Sequence, residues 1–388
     1  MKKVFLFSLF LVLGLVLSQC LPVWLGEAFL TAEKVAKTLM FVCLAFIMIN
    51  VGREFELDKT KWRSYAADYF IAMATAAVPW IMVAFYYMFL LPADLFGNWD
   101  AWKENLLLSR FAAPTSAGIL FTMLAAAGLR REWIYKKTQV LAIFDDLDTI
   151  LLMIPLQIFM IGFKWQLFAV VIVITFLLVI GWKKLGTIRL SILFYAVCIV
   201  AVTESIYLLT KWMMGADGAI HIEVLLPAFV LGMVMKTVHQ HGNRDEKITG
   251  MISYLFMFLV GLSTPQFIGI DHGHRITEAV GIIAAQPMPS WEVLVVHVIV
   301  VTLLSNLGKM FPLFFYRDRQ LEERLALSVG MFTRGEVGAG IIVIAMGYNL
   351  GGPALIISVL SLVLNLLLTG GFVVIVKRLA QQAYGLKE

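Results

Sequence analysis

Twelve apolar stretches, each long enough to cross a bilayer at about 20 residues per helix, follow one another along this chain with mostly short polar turns between them. They fall at 4–21, 33–52, 65–91, 105–128, 138–161, 163–182, 190–211, 219–238, 248–268, 291–315, 325–347 and 353–376. With 61% hydrophobic and 15% charged residues, the 388-residue chain carries more apolar surface than one water-facing core can bury. Lipid is the solvent that this composition requires. The expectation is an all-α polytopic membrane protein of about twelve transmembrane helices. It forms a single membrane domain over 1–388, with no room between spans for a soluble domain.

The basic residues set the orientation, because cytoplasmic loops carry the Lys and Arg excess. With the amino terminus inside, twenty-two of the 31 Lys and Arg fall on inside segments. The outside segments and outer helix ends hold seven, Arg110 among them, and only Lys309 and Arg334 lie within spans. Both termini are therefore expected in the cytoplasm. The pI near 9.0 follows from this bias and implies no nucleic-acid partner. The first segment, MKKVFLFSLFLVLGLVLSQC, also has the form of a signal peptide ending at Cys20, but Gln19 is a poor fit to the small residue wanted before a lipidated cysteine. A retained helix is the better reading. Cys20, Cys43 and Cys198 show no metal-ligand spacing and read as packing residues. The longest outer loop, 263–290, carries His272 and His274 and reads as a solvated connector.

Two spans contain breakers. The fourth holds Ala113-Pro114-Thr115-Ser116-Ala117-Gly118, where Pro removes one backbone bond and frees a carbonyl. The eleventh holds Thr333-Arg334-Gly335-Glu336-Val337-Gly338-Ala339-Gly340. Unwound backbone at membrane depth survives where it lines a cavity or is buried in protein, and its carbonyls and helix ends can hold ions. The two spans are seven apart, an odd offset that reverses orientation. The third to fifth spans therefore match the tenth to twelfth as inverted repeats with discontinuous fourth and eleventh helices.

Asp145 and Asp146 stand side by side in the apolar fifth span, with Asp148 one turn beyond Asp145. A central Asp costs a membrane helix roughly 2.5–3.5 kcal/mol, so acids here need a compensating use. Repulsion and burial let such a pair hold a proton or a monovalent cation, and hardly both, which suffices to couple opposite flows. Asp148 reads as a third ligand, a proton relay or a group facing the outer cavity. Lys309 is the only Lys deep in a span, and a buried ammonium needs a carboxylate, for which the fifth span offers the partner. Arg334 and Glu336 are expected to neutralise one another. Glu204 in the seventh span has no evident partner.

These residues, in this order, resemble the monovalent cation:proton antiporters, especially the bacterial sodium/proton branch. LAFIMINVGREFELD is similar to that family's second helix, APTSAGIL to its unwound fourth, and FDDLD to its acidic pair. LGK resembles its tenth-helix Gly-Lys, TRGEVGAG its Arg-Gly-Glu turn, and LLPAFVLGMVMKT with LFMFLVGLS its eighth and ninth helices. The resemblance implies a core half around helices 3–5 and 10–12 and a dimerisation half from the rest, with crossed helices 4 and 11 meeting near the ion. It casts Asp146 as main cation and proton ligand, Asp145 as partner of Lys309, and Thr115 as a neighbour of the ion. Ser116, Asp148, Arg334 and Glu336 take supporting places. It further implies a homodimer in the bacterial cytoplasmic (inner) membrane, lipid around it, sodium (or lithium or potassium) and protons as its substrates, elevator-like movement of the core half, no cofactor and no enzymatic reaction. An acid at Asp148 departs from the family pattern and bears on ion choice.

Other classes fit less well. Membrane prenyltransferases need two Asp-rich motifs at helix ends, and there is one here, deep in a span. Intramembrane proteolysis needs catalytic Asp residues on two helices. A channel needs a continuous polar lining. An organic-solute/sodium symporter of related inverted-repeat fold is the nearest rival, and its hallmark is polar ligands at broken helices without an Asp pair and Lys.

Overall fold

The computed structural model describes residues 2–25, 28–53, 62–116, 124, 129, 132–161, 191–214, 224–235, 243–264, 281–348 and 350–385. Among them regular structure is helical, with no strand. The α-helices are α1 Lys2–Leu25, α2 Ala28–Arg53, α3 Trp62–Leu90, α4 Trp99–Ser109, α5 Trp133–Ile161 and α6 Ile192–Met214. They continue with α7 Leu225–Val234, α8 Asn243–Leu262, α9 Trp291–Gly308, α10 Leu321–Gly330, α11 Glu336–Gly347 and α12 Gly352–Tyr384. Five described helices hold stretches long and apolar enough to cross a membrane: Thr31–Arg53, Ala66–Leu90, Ile192–Leu209, Trp291–Phe314 and Gly352–Tyr384. The expected sixth span, 163–182, lies outside the described residues, as do His272 and His274.

Two departures from the expected spans have local causes. Helix α4 begins six residues before the apolar run, because Asn98 caps it: its side chain accepts from the amides of Asp100 at 2.8 Å and Ala101 at 3.4 Å. After Ser109 the chain tightens into a short 3₁₀ turn, Arg110–Ala112, and 114–116 are non-helical. The eleventh span is two helices, α10 and α11, separated by residues 331–335. Helix α10 opens with a reciprocal capping box between Gln320 and Glu323.

The chain divides into two compact units. The first comprises Met1–Leu13, Asp58–Leu156 and Thr264–Glu388. In it α3 packs against α9 and α4, α12 against α10 and α9, and α11 against the Arg110–Ala112 turn. Gly308 lies hard against the backbone of Pro79, where any Cβ would stand 2.5–2.7 Å from Pro79 atoms, so α9 and α3 touch main chain to main chain. The second unit comprises Gly14–Leu57 and Gln157–Ser263. There α2 packs against α7, α6 and α8, with Gly52 and Gly232 each facing the other helix's backbone. Glu204 is partly exposed on α6, next to Thr203, whose hydroxyl donates back to the Val200 carbonyl.

Candidate functional site

Within the first unit the non-helical residues 114–116 after α4 meet the break between α10 and α11. The Ser116 amide donates to the Thr333 carbonyl at 2.9 Å, and the Thr333 hydroxyl returns a bond to the Ser116 carbonyl at 3.4 Å. Thr115 donates through its hydroxyl to the Met331 carbonyl at 3.1 Å. These are the groups that unwinding strips of helical partners, and burial makes leaving them unpaired costly. Pairing across the crossing satisfies them. Gly335 makes the approach possible, since a Cβ there would stand 2.5 Å from the Ser116 hydroxyl.

Arg334 completes the crossing. A cation just ahead of the α11 amino terminus opposes the helix dipole, so it needs compensating acceptors. Its guanidinium donates to the carbonyls of Pro114 at 3.1 Å, Ser305 at 3.1 Å and Met331 at 3.5 Å. Mutual neutralisation with Glu336 was the expectation. The hydrogen bonds of Arg334 instead go to backbone oxygens, two at the unwound stretches and one in the last turn of α9, where carbonyls lack a helical donor. The Glu336 carboxylate accepts from the Ser116 hydroxyl at 3.5 Å.

On α5, Asp145, Asp146 and Asp148 are all buried, at 0%, 1% and 2% exposure. Lys309, equally buried, caps the carboxyl end of α9, where the dipole favours a cation. Its ammonium donates to both carboxylate oxygens of Asp145, at 2.9 and 2.8 Å. Asp146 and Arg334 lie close enough to interact electrostatically with Lys309. Asp148 pairs with Arg110, whose Nη2 reaches its Oδ2 at 3.3 Å. The result is a cluster of three buried acids and three buried bases, with the half-buried Glu336 carboxylate beside it at the crossing. Among the described residues no group of three His, Cys, Asp or Glu side chains is arranged to hold a metal.

The profile of the family described as "Sodium/hydrogen exchanger, transmembrane" matches residues 2–378. The chain belongs to the sodium/hydrogen exchanger family. This places it among cation:proton antiporters and in a membrane. The fold of the exchanger is also that of the sodium proton antiporter MjNhaP1 from Methanocaldococcus jannaschii, solved at pH 8, with a TM-score of 0.63 over 98% of this chain and 92% of that one. Sequence identity between them is 13%. A search of curated protein sequences finds no match.

Sequence reasoning missed three features of the exchanger. Arg110 was placed at an outer helix end, whereas it is fully buried on Asp148. The available signal was arithmetic: with Arg334 assigned to Glu336, three acids in one span against Lys309 alone leave two buried charges short of a partner. The second is a polar seam along α12, where Ser358 meets Tyr87 at 2.7 Å, Ser361 meets Thr302 at 2.8 Å and Asn365 donates to Asn306 at 2.8 Å. Its spacing of three and four residues was readable as one helix face. The third is a cluster around Asp68, which accepts from Lys137 at 2.9 and 2.8 Å and from the Tyr316 hydroxyl at 2.8 Å.

Proposed function

We propose that this antiporter exchanges sodium, or the related lithium or potassium, for protons at the Asp145–Asp146 pair, by alternating access of the first unit's site to the two sides of the membrane. The observation that carries the reading is the buried Lys309–Asp145 pair with a second buried acid, Asp146, beside it. Each buried base of the cluster already faces an acid or backbone oxygens, so a monovalent cation enters without adding charge to the site only if a proton leaves. A cation at the pair competes with Lys309 for Asp145. An ammonium that loses its carboxylate in a buried site sheds its proton rather than remain charged. Asp146, on the next residue, is then the principal ligand and the second group able to exchange a proton. With Asp146 also protonated in the cation-free state, two protons leave for each cation and the site loses one positive charge in the exchange, which makes the cycle electrogenic.

Freed carbonyls at the helix breaks are less available than the sequence implied. Those of Pro114, Met331 and Thr333 already accept from Arg334, Thr115 or Ser116 within the protein. Thr115 and Ser116 therefore shape the crossing, and the carboxylates are the charged oxygens on offer. A homodimer, a bacterial inner membrane, cytoplasmic termini and a scaffold role for the second unit belong to the same proposal and rest on the family resemblance and the charge bias of the loops.

The test is flux in proteoliposomes with a trapped pH dye under an inward sodium, lithium or potassium gradient. The expected result is cation-dependent proton efflux from wild type that disappears in a folded Asp146→Ala variant. Proton movement insensitive to all three cations would end this reading and favour organic-solute symport.

A further inference from the structure

Arg110 touches more of the site's framework than neutralising Asp148 requires. One nitrogen, Nη2, donates to two oxygens of the same residue: the Asp148 backbone carbonyl at 3.0 Å and its carboxylate Oδ2 at 3.3 Å. The backbone contact is the shorter, and it grips the α5 main chain itself. The guanidinium carbon also lies over the Trp80 ring on α3, 4.4 Å from its centre. Arg110 itself stands in the 3₁₀ turn between α4 and the unwound 114–116. A single fully buried side chain thus ties α3, the end of α4 and α5 together.

Asp148 is one helical turn from Asp145 and two residues from Asp146, so any slide or rotation of α5 at Asp148 moves both acids. We propose that Arg110 is a positioning residue for the ion site: it holds α5 at the height and rotation at which Asp145 meets Lys309 and Asp146 is presented beside it. Asp148 is then an anchor, not a third ligand for the ion. The assignment rests on the cation-exchange reading above. Its chemistry favours arginine, because the guanidinium lies over Trp80 while its Nη2 donates to both Asp148 oxygens, whereas a lysine ammonium concentrates its charge at one point.

Purified full-length Arg110→Gln, Arg110→Lys, Asp148→Asn and Arg110→Gln/Asp148→Asn chains would be compared with wild type. Apparent KM and maximal rate come from proteoliposome flux, and sodium or lithium affinity from the rise in melting temperature that each cation produces. Arg110→Gln is expected to raise the apparent KM about tenfold with a smaller change in maximal rate, as misplacement of liganding groups does. Arg110→Lys should fall between Gln and wild type. Asp148→Asn keeps both acceptor oxygens and should change KM no more than about twofold. The double variant should match Arg110→Gln, because both changes act through one contact.

An unchanged KM in folded Arg110→Gln overturns the proposal. A double variant that recovers the wild-type KM also overturns it, since the harm then came from a lone buried carboxylate and not from lost positioning. Should Arg110→Gln not fold, the double variant buries no lone charge and is read against wild type: raised KM supports the role and wild-type KM refutes it. Cations that raise the melting temperature of wild type without any flux sink the antiport reading alone, and the same comparison is then made on affinity. Neither flux nor cation-dependent stabilisation in wild type overturns both.

Discussion

The Lys309 ammonium donates to both carboxylate oxygens of Asp145 with neither side chain reached by solvent. Breaking such a pair strands one charge in a low-dielectric interior, at a cost of roughly 3–5 kcal/mol, whereas replacing both members by neutral groups of similar volume is often near neutral. Lys309→Met should therefore lower the melting temperature sharply, and Asp145→Asn/Lys309→Met should recover most of the loss. Equal melting temperatures for wild type and Lys309→Met would show that the pair carries no such weight.

Asp146 differs from Asp145 in having no part in the Lys309 hydrogen bonds. Asp146→Asn leaves that pair intact but removes a negative charge near Lys309, so it should cost less stability than Lys309→Met while cation-coupled proton flux is lost. Calorimetry and liposome flux on the same preparation separate the two effects.

Gly335 is held by space and not by backbone conformation. Its φ of −168° is extended and open to any residue, but a Cβ would stand 2.5 Å from the Ser116 hydroxyl and 2.7 Å from the Ser116 Cβ. Gly335→Ala should destabilise by about 1–3 kcal/mol through overpacking at the crossing. Adding Ser116→Gly, which removes both atoms, should restore much of it. Gly370→Ala is the control: nothing lies within 4 Å of its Cβ position on α12, and helix propensity favours Ala by up to about 1 kcal/mol.

Tyr316 adopts φ 53°, a left-handed conformation that costs a bulky residue about 1–2 kcal/mol. Its contacts offset this: the hydroxyl on Asp68, Lys137 over its ring at 5.0 Å, and an edge-on Trp133 at 5.5 Å. Burial, and then the negative charge of Asp68, raise its phenol above the usual value. A raised folded value means that the native state binds the proton more tightly than the unfolded chain. That contribution is fully present below the ordinary phenol value of about 10 and is lost as pH climbs from there toward the folded value. Tyr316→Phe should cost about 1 kcal/mol at neutral pH and, between pH 10 and 11, lose stability less steeply than wild type in thermal melts.

Much of this could be read without coordinates. Long apolar runs dictate helices in lipid, Pro114 and the glycines around Arg334 mark where two of them break, and a buried ammonium at Lys309 demands a carboxylate on the acidic span. Those inferences depend on neighbours within one segment or on the cost of charge in hydrocarbon, both of which sequence carries. The start of α4 was misplaced because its signal is a polar cap at Asn98, not hydropathy.

Partner choice belongs to the tertiary structure. Lys309 and Asp145 are 164 positions apart, and Arg110 and Asp148 are 38 apart. Which base meets which acid depends on how α3, α5 and α9 pack, a relation no local pattern encodes. Arg334 shows the same limit from the other side: its acceptors are carbonyls of Pro114, Ser305 and Met331, groups that every residue possesses and that only the packing of the two unwound stretches with the end of α9 brings within reach. The sequence alone determined a lipid-embedded helical chain with charges that had to be paired; the fold decided the pairs, because electrostatic partners are set by distance in space.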